Sequence, residues 1–423
     1  MSAKKLGAKA IRERDRALKL ANDRVKIAND LTSRIYDDIV RQGCVVFIGA
    51  GSTTEGKQEA RTTFYAHIKE LSEFAGDPPS FPELMQYFCD HMDGGHHNRL
   101  IREALSRIEE FCVRDSEANF FATRFTNALA EIPYFNRFVT TNWDPFLERS
   151  LDVLVPMVED KDLAFWNDHK RQILKIHGCI TRPYSIVATQ SDYDTCMGQN
   201  KLIFNKPKDL MATKTFLFAG YSMRDPDFKK VWDSINGSLG HFANMAYALD
   251  PGAPDDQVSF WRERGIEIFR SADILFARAL RERLEKEDLI PTSQFLGFLQ
   301  RERDRITSIH LKMGQNSHGR FSSAMYQDGL LHELDSIFTA TALGTMKKED
   351  FDRDCGEKRR WLERAWRSED LIEIAYRSGR VEVLERFNNR DKSRIPTYFH
   401  PDRLQPVSKL VDGKKYSSRP PRI

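Results

Sequence analysis

Residues 44–52 read CVVFIGAGS: five apolar positions, Cys44 to Ile48, closed by Gly49, Ala50, Gly51 and Ser52. A short continuous apolar run bounded by glycine predicts a buried strand that ends in a tight turn. Such a turn lets backbone N–H groups approach a phosphate closely, and it leads into a helix whose N-terminus attracts anions. The dinucleotide pattern wants a third glycine three places after Gly51; that position is Thr54, so the fingerprint common to dehydrogenases is not met. Taken alone, the turn serves a plain strand-to-helix connection as readily as a nucleotide.

Outward from this run, short β-rich segments alternate with helical ones from Gly43 to Leu289: CVVFIG, FNRFVTT, ILKIH, SIVAT, TFLFAG, MAYAL and IEIF, with helices over 80–92, 98–111, 117–130, 227–238 and 272–286. That alternation predicts an α/β fold, a Rossmann-like parallel sheet with helices on both faces. Residues 8–40 read as one long helix, with Ile11, Leu18 and Val25 on one heptad line and Ala21, Ala28 and Ile35 on the next. Docking on its own domain and contact with another subunit fit that stripe equally. After Pro291 the pattern is helical without strands, with Leu330, Leu334 and Phe338, or Leu371, Ile374 and Ala375, as buried faces. From Asn388 the chain gathers Pro396, Pro401, Pro406, Pro420 and Pro421 with scattered Arg and Lys, the composition of an extended tail or docking arm. The resulting division is an N-terminal helix (1–40), an α/β domain (41–290), a mainly helical C-terminal domain (291–387) and a basic, Pro-rich tail (388–423).

The length of 423 residues exceeds what one compact core usually holds. With 40% hydrophobic and 30% charged residues, the composition is that of a globular chain. Lys and Arg number 65 against 62 Asp and Glu, so no global positive field advertises nucleic acid. The most apolar stretch is too short to span a bilayer, and MSAKKLGAKAIRERDR lacks the apolar centre of a secretory signal; the expectation is a cytoplasmic protein without a membrane partner. Cysteines at 44, 89, 112, 179, 196 and 355 form no CxxC pair, which argues against structural zinc and a disulfide scaffold and for buried thiols.

Three further runs carry chemistry. In FVTTNWDPFLE, Asn142 and Asp144 follow a strand; Asp144 is a natural N-cap with Pro145 at the first helical position, and Trp143 is placed against the following helix. Asn142, a short amide at a strand's carboxyl end, points into the crevice where open α/β sheets bind ligands. In ILKIHGCI, His177 ends a strand beside Gly178, which permits a sharp turn. In TFLFAGYSMRDPDF, Gly220 and Ser222 can meet a ribose or phosphate, Asp227 can cap the next helix, and Arg224 with Asp225 reads as a surface ion pair.

The ordered set GAGS, TTNWD, KIHG and FAGYSMRDPDF resembles the sirtuin-like family, especially its bacterial and archaeal branch of NAD-consuming antiphage defence proteins. By that resemblance Gly49, Ala50, Gly51 and Ser52 match the phosphate loop, Asn142 and Asp144 the ribose-side pair, His177 the catalytic histidine, and Gly220 with Ser222 the later nucleotide contacts. The chain departs from protein-deacylating sirtuins in two ways. Their four-cysteine zinc module has no counterpart, because the interval after His177 holds only Cys179 and Cys196; and the stretch after the first motif is TTEGKQEARTTF. The resemblance implies an NAD+ hydrolase (NADase) with NAD as substrate and no metal. It further implies an antiviral effector held inactive until triggered, a HerA-like hexameric ATPase as partner, and nucleic acid reached only through a partner; the heptad lines of residues 8–40 and the apolar faces after Pro291 predict a homo-oligomer. In that chemistry nicotinamide leaves as a neutral molecule from an oxocarbenium-like ribose; Asn142 orients the ribose or water, and His177 accepts a proton. Three alternatives stand beside it: a zinc-free ADP-ribosyltransferase or deacylase, a non-catalytic subunit that binds NAD or ADP-ribose, and an interaction subunit working through its C-terminal helices and tail.

Overall fold

The structure, a computed structural model, describes residues 3–53, 63–76, 80–92, 96–110, 116–198, 201–221, 223, 226–240, 243–313, 321–368 and 370–399. The chain divides into two compact units, Met1–Glu282 and Arg283–Ile423. The first runs α1 (Ala3–Val40), β1 (Cys44–Ile48), α2 (Phe64–Leu71), α3 (Phe81–His91), α4 (His97–Glu109), α5 (Ser116–Ala130), β2 (Arg137–Thr140) and α6 (Phe146–Leu151). It continues through β3 (Gln172–Lys175), α7 (Gln190–Gly198), α8 (Leu202–Thr213), β4 (Thr215–Ala219), α9 (Pro226–Leu239), β5 (Ala246–Leu249), α10 (Asp255–Arg262), β6 (Ile266–Phe269) and α11 (Asp273–Lys286).

The strands form one six-stranded sheet in the order β3-β2-β1-β4-β5-β6, and every pairing is parallel. Both faces are covered, as a parallel sheet requires. Val45 and Phe47 join Phe216, Phe218, Ala246 and Ala248 in a core completed by Ile203 and Leu210 of α8, Phe228 and Trp232 of α9, and Trp261 of α10. The alternate residues Cys44, Val46 and Ile48 are equally buried, and α1 packs against β1 and β6.

Five details differ from the sequence reading. SIVAT is not a strand: Pro183–Ser185 is a 3-10 turn, and Ile186 and Ala188 turn into a cluster with α2, α3 and α4 instead of extending the sheet. The seam of α1 is the Ala28–Ile35 line, continued by Leu31 and Ile39, while Leu18 and Val25 stay exposed; the side chain of Ile11 lies outside the described residues. Helix α6 starts at Phe146 with Pro145 as its N-cap, one residue later than the sequence suggests. Helix α9 starts at Pro226, which puts Asp227 inside its first turn and not at the cap. Trp143 packs on Phe64 and Phe81, at ring-centroid distances of 5.7 and 6.0 Å, so its partners are α2 and α3 and not the helix that follows it.

The second unit contains α12 (Ser293–Met313), α13 (Phe321–Ala342), α14 (Lys348–Ser368) and α15 (Leu371–Asn388). Phe295, Leu299, Leu330, Leu334, Ile337, Ala375 and Leu384 form its core, with Phe338 packed against it. Leu371 opens α15 and is exposed, while Ile374 and Ala375, one turn on, are buried. The start of the Pro-rich segment is tied down: Ile395 is buried, and its N–H donates to Glu302 Oε2 at 2.8 Å. The later prolines, Pro401 to Pro421, lie outside the described residues. Among the described residues no helix is long and apolar enough to cross a membrane. Cys44, Cys89, Cys179, Cys196 and Cys355 are free thiols, all but Cys89 buried; Cys112 lies outside the described residues.

Candidate active site

The sheet register aligns the sequence motifs. Ile48 pairs with Thr140 on one side and Ala219 on the other, and Thr140 pairs with Lys175. Ile48, Thr140, Lys175 and Ala219 are therefore one level across four neighbouring strands. Two residues further on stand Ala50, Asn142, His177 and Tyr221, all at the carboxyl edge. In this strand order the chain switches direction between β1 and β4, and the crevice outside that point is where open α/β sheets take ligands.

At the switch point two loops interlock. The N–H groups of Gly49 and Gly51 donate to the carbonyls of Ala219 and Gly220, both at 2.9 Å. Those of Ser52 and Thr53 donate back to Gly49 and Ala50 (3.2 and 3.1 Å), closing Ala50–Ser52 into a 3-10 turn. Gly220 sits at φ +61°, and a Cβ there would lie 2.0 Å from the Ser52 nitrogen. The turn is thus shaped by glycine on both loops, with much of its N–H complement already used within the fold. Ser222, Arg224 and Asp225, which the sequence places just beyond, lie outside the described residues, as does Thr54.

Asn142 is buried at 8% exposure. Thr140 Oγ1 donates to the Ile48 carbonyl (2.7 Å) and accepts the Asn142 N–H (3.0 Å), locking the residue to the end of β1. Its Nδ2 donates to Thr53 Oγ1 at 2.9 Å. The carboxamide oxygen Oδ1 is buried with no partner among the described residues. A buried acceptor left without a donor costs about 1–3 kcal/mol, so this oxygen is a candidate contact for a bound water or ligand. Thr53 and Thr140 were not singled out from the sequence, although Thr140 opens the TTN run and Thr53 directly follows GAGS.

His177 is half-buried, and its carbonyl accepts the Val187 N–H at 3.1 Å. The Tyr193 hydroxyl on α7 lies 3.2 Å from its Nδ1 and 3.4 Å from its Nε2. Gly178 follows at φ +86°, with a would-be Cβ 2.2 Å from the Ser185 carbonyl oxygen; the chain after His177 can fold back only because that residue is glycine. Tyr193 lies sixteen positions from His177, and nothing in its own surroundings in the sequence marks it.

Asp144 stands two residues beyond Asn142 in the same loop. It is buried at 5% exposure, and its Oδ1 accepts the Phe146 N–H at 3.1 Å, so it does the work of a cap although Pro145 holds the cap position. Below it, the buried Lys175 ammonium donates to the Asp144 carbonyl (2.5 Å) and to Glu148 Oε1 (2.8 Å). Burial pushes the Asp144 carboxyl up to about 6, against the pull of Lys175 and the Phe146 N–H. Below about pH 4 the group is protonated in folded and unfolded chains alike; as pH rises, the unfolded chain loses its proton first, and charge then opposes folding up to about pH 6. Asp144→Asn keeps an oxygen for Phe146 and carries no charge. It is expected to match the parent near pH 4 and to exceed it by up to about 3 kcal/mol at neutral pH. Denaturant midpoints at the two pH values check this, and an equal offset at both contradicts it.

Residues 136–269 match a family model described as SIR2-like domain. The SIR2-like match runs from the foot of β2 to the end of β6 and takes in Asn142, His177 and Gly220. Strand β1 lies ahead of it in sequence, yet it is hydrogen-bonded between β2 and β4 of the same sheet. The chain is also similar to proteins named NAD(+) hydrolase ThsA. That of Cytobacillus dafuensis is 24% identical over 261 residues, 59% of this chain and 49% of that protein. That of Enterococcus faecium is 31% identical over 248 residues, 55% and 49%, and that of Bacillus cereus (strain MSX-D12) 23% identical over 247, again 55% and 49%. The chain spans about half the length of the curated relatives it matches.

Proposed function

We propose that this chain is an NAD+ hydrolase that cleaves the nicotinamide–ribose bond to give nicotinamide and ADP-ribose. The observation that carries the reading is that Asn142 and His177 each follow, two residues on, the paired ends Thr140 and Lys175 of adjacent strands, beside the switch-point turn. The names of the relatives, NAD(+) hydrolases, support it from a separate direction.

The bond to be broken joins ribose to a cationic ring nitrogen, so the leaving group departs neutral and the protein need not protonate it. What remains is to position the ribose and supply a nucleophile. The unpartnered Oδ1 of Asn142 accepts a hydrogen from a ribose hydroxyl or from water, while Thr53 fixes the other end of the amide. His177 takes the proton from that water as its oxygen bonds to the ribose carbon. Gly49, Ala50, Gly51 and Ser52, with Gly220 and Ser222, form the phosphate side. Asp144 acts on the ribose side through the loop it caps. The site needs no metal for this chemistry, and among the described residues no group of His, Cys, Asp and Glu is arranged to hold one.

In this reading the chain is a cytoplasmic antiviral effector that depletes NAD once released from inhibition. It works as a homo-oligomer with a HerA-like hexameric ATPase, and exposed Leu18 and Val25 on α1 offer a surface for assembly. The test is to incubate the full chain with NAD, alone and with a candidate ATPase partner, and to resolve the products by chromatography. Nicotinamide and ADP-ribose appearing without any acylated peptide support hydrolysis; tight NAD binding with no product favours a binding subunit.

A further inference from the structure

The start of α7 is held by a closed set of bonds. Thr189 Oγ1 accepts the Asp192 N–H (3.2 Å), and Asp192 Oδ2 accepts the N–H groups of Thr189 (2.9 Å) and Ala188 (3.0 Å), a reciprocal cap written in the sequence as TQSD. Asp192 Oδ2 also accepts from His97 Nε2 of α4 at 3.0 Å, and Gln86 Oε1 of α3 accepts the Ser191 N–H at 3.1 Å. Burial alone would raise the Asp192 carboxyl, but these donors hold it down at about 2. The carboxylate of the clasp is therefore ionised at neutral pH.

Tyr193 is the next residue. Its ring meets the His177 imidazole nearly edge to face, with centroids 5.1 Å apart and planes at 68°, and its oxygen lies 3.2 Å from Nδ1 and 3.4 Å from Nε2. One hydroxyl serves one of the two nitrogens at a time, and the shorter approach is to Nδ1. Neutral imidazole carries a single N–H, and the partner of one nitrogen decides what the other offers. A phenol oxygen that accepts the Nδ1–H leaves Nε2 bare to take a proton, and the imidazolium so formed keeps the same bond.

We propose that Tyr193 is a positioning residue for His177, fixed on the clasped start of α7 so that its oxygen sets the tautomer and tilt of the imidazole. Its kinetic consequence rests on the NAD hydrolase reading; its effect on the ring does not. Tyr193→Phe keeps the ring contact and removes the oxygen. In the full chain with 15N-labelled histidine, assigned by comparison with His177→Ala, the His177 nitrogen signals are expected to report one tautomer in the parent and a mixture in Tyr193→Phe. Nicotinamide release by the same variant is expected to fall about tenfold in kcat with KM within about twofold. Nitrogen signals that stay the same, or a kcat equal to the parent's, overturn the proposal. A parent chain that releases no nicotinamide sinks the NAD hydrolase reading instead, and the nitrogen signals then still decide whether Tyr193 sets the ring.

Discussion

His177→Ala is expected to lower nicotinamide release by about 10²- to 10⁴-fold, the range that a positioned general base supplies, while NAD still binds. The half-buried imidazole lies beyond the end of β3, beside the Tyr193 ring and hydroxyl and outside the strand pairing, so its loss leaves the sheet intact. Asn142→Ala is expected to lose turnover to a similar degree for a different reason. The amide has one end on Thr53 and an oxygen with no partner among the described residues, and deleting it removes a buried polar atom that none of those residues satisfies. Its stability should therefore change by less than the ~1–2 kcal/mol typical of a buried residue, and unfolding midpoints beside single-turnover rates separate the two effects. Either variant turning over NAD at the parental rate removes that residue from the catalytic centre.

Gly220→Ala is expected to cost NAD affinity at least about tenfold, a change of ~1.4 kcal/mol. Gly220 sits at φ +61°, and its added Cβ would meet the Ser52 nitrogen at 2.0 Å and the Gly51 carbonyl carbon at 2.7 Å. A left-handed conformation costs a non-glycine residue about 1–2 kcal/mol, and the backbone clash cannot be relieved by a rotamer change. The loop after β4 must then move away from the loop after β1, and the switch-point crevice opens with it. Calorimetric titration of NAD into the variant, with unfolding curves to show that the sheet is retained, reads the effect. Parental affinity in a folded variant contradicts the placement of the nucleotide at this turn.

Much of the fold is written locally. The apolar runs ending in Gly49, Asn142, His177 and Gly220 are strands because each is bounded by a turn former and buried on both faces, and such runs carry their own signal. Which strands neighbour one another is a tertiary fact: the four motifs, spread over some 170 positions from Gly49 to Gly220, stand at one level only through the pairing of Ile48, Thr140, Lys175 and Ala219. SIVAT has strand composition, but Ile186 and Ala188 find better burial against α2, α3 and α4 than at the sheet edge. Asp144 has the composition of both a cap and a ligand, and its burial above Lys175 is invisible without the fold. Tyr193 and Thr53 reach His177 and Asn142 through contacts across sixteen and eighty-nine positions, which no local pattern reveals. Nor does a glycine turn reveal that the amides of Gly49, Gly51, Ser52 and Thr53 already donate within the two loops.

The most direct test is chromatographic: the full chain, incubated with NAD alone and with an activating partner, against His177→Ala under the same conditions. The expected result is nicotinamide and ADP-ribose in equal amounts from the parent, with the variant reduced to near background. NAD recovered intact from a parent that binds it, in every condition including the activated complex, contradicts the assignment of Asn142 and His177 as a cleavage centre.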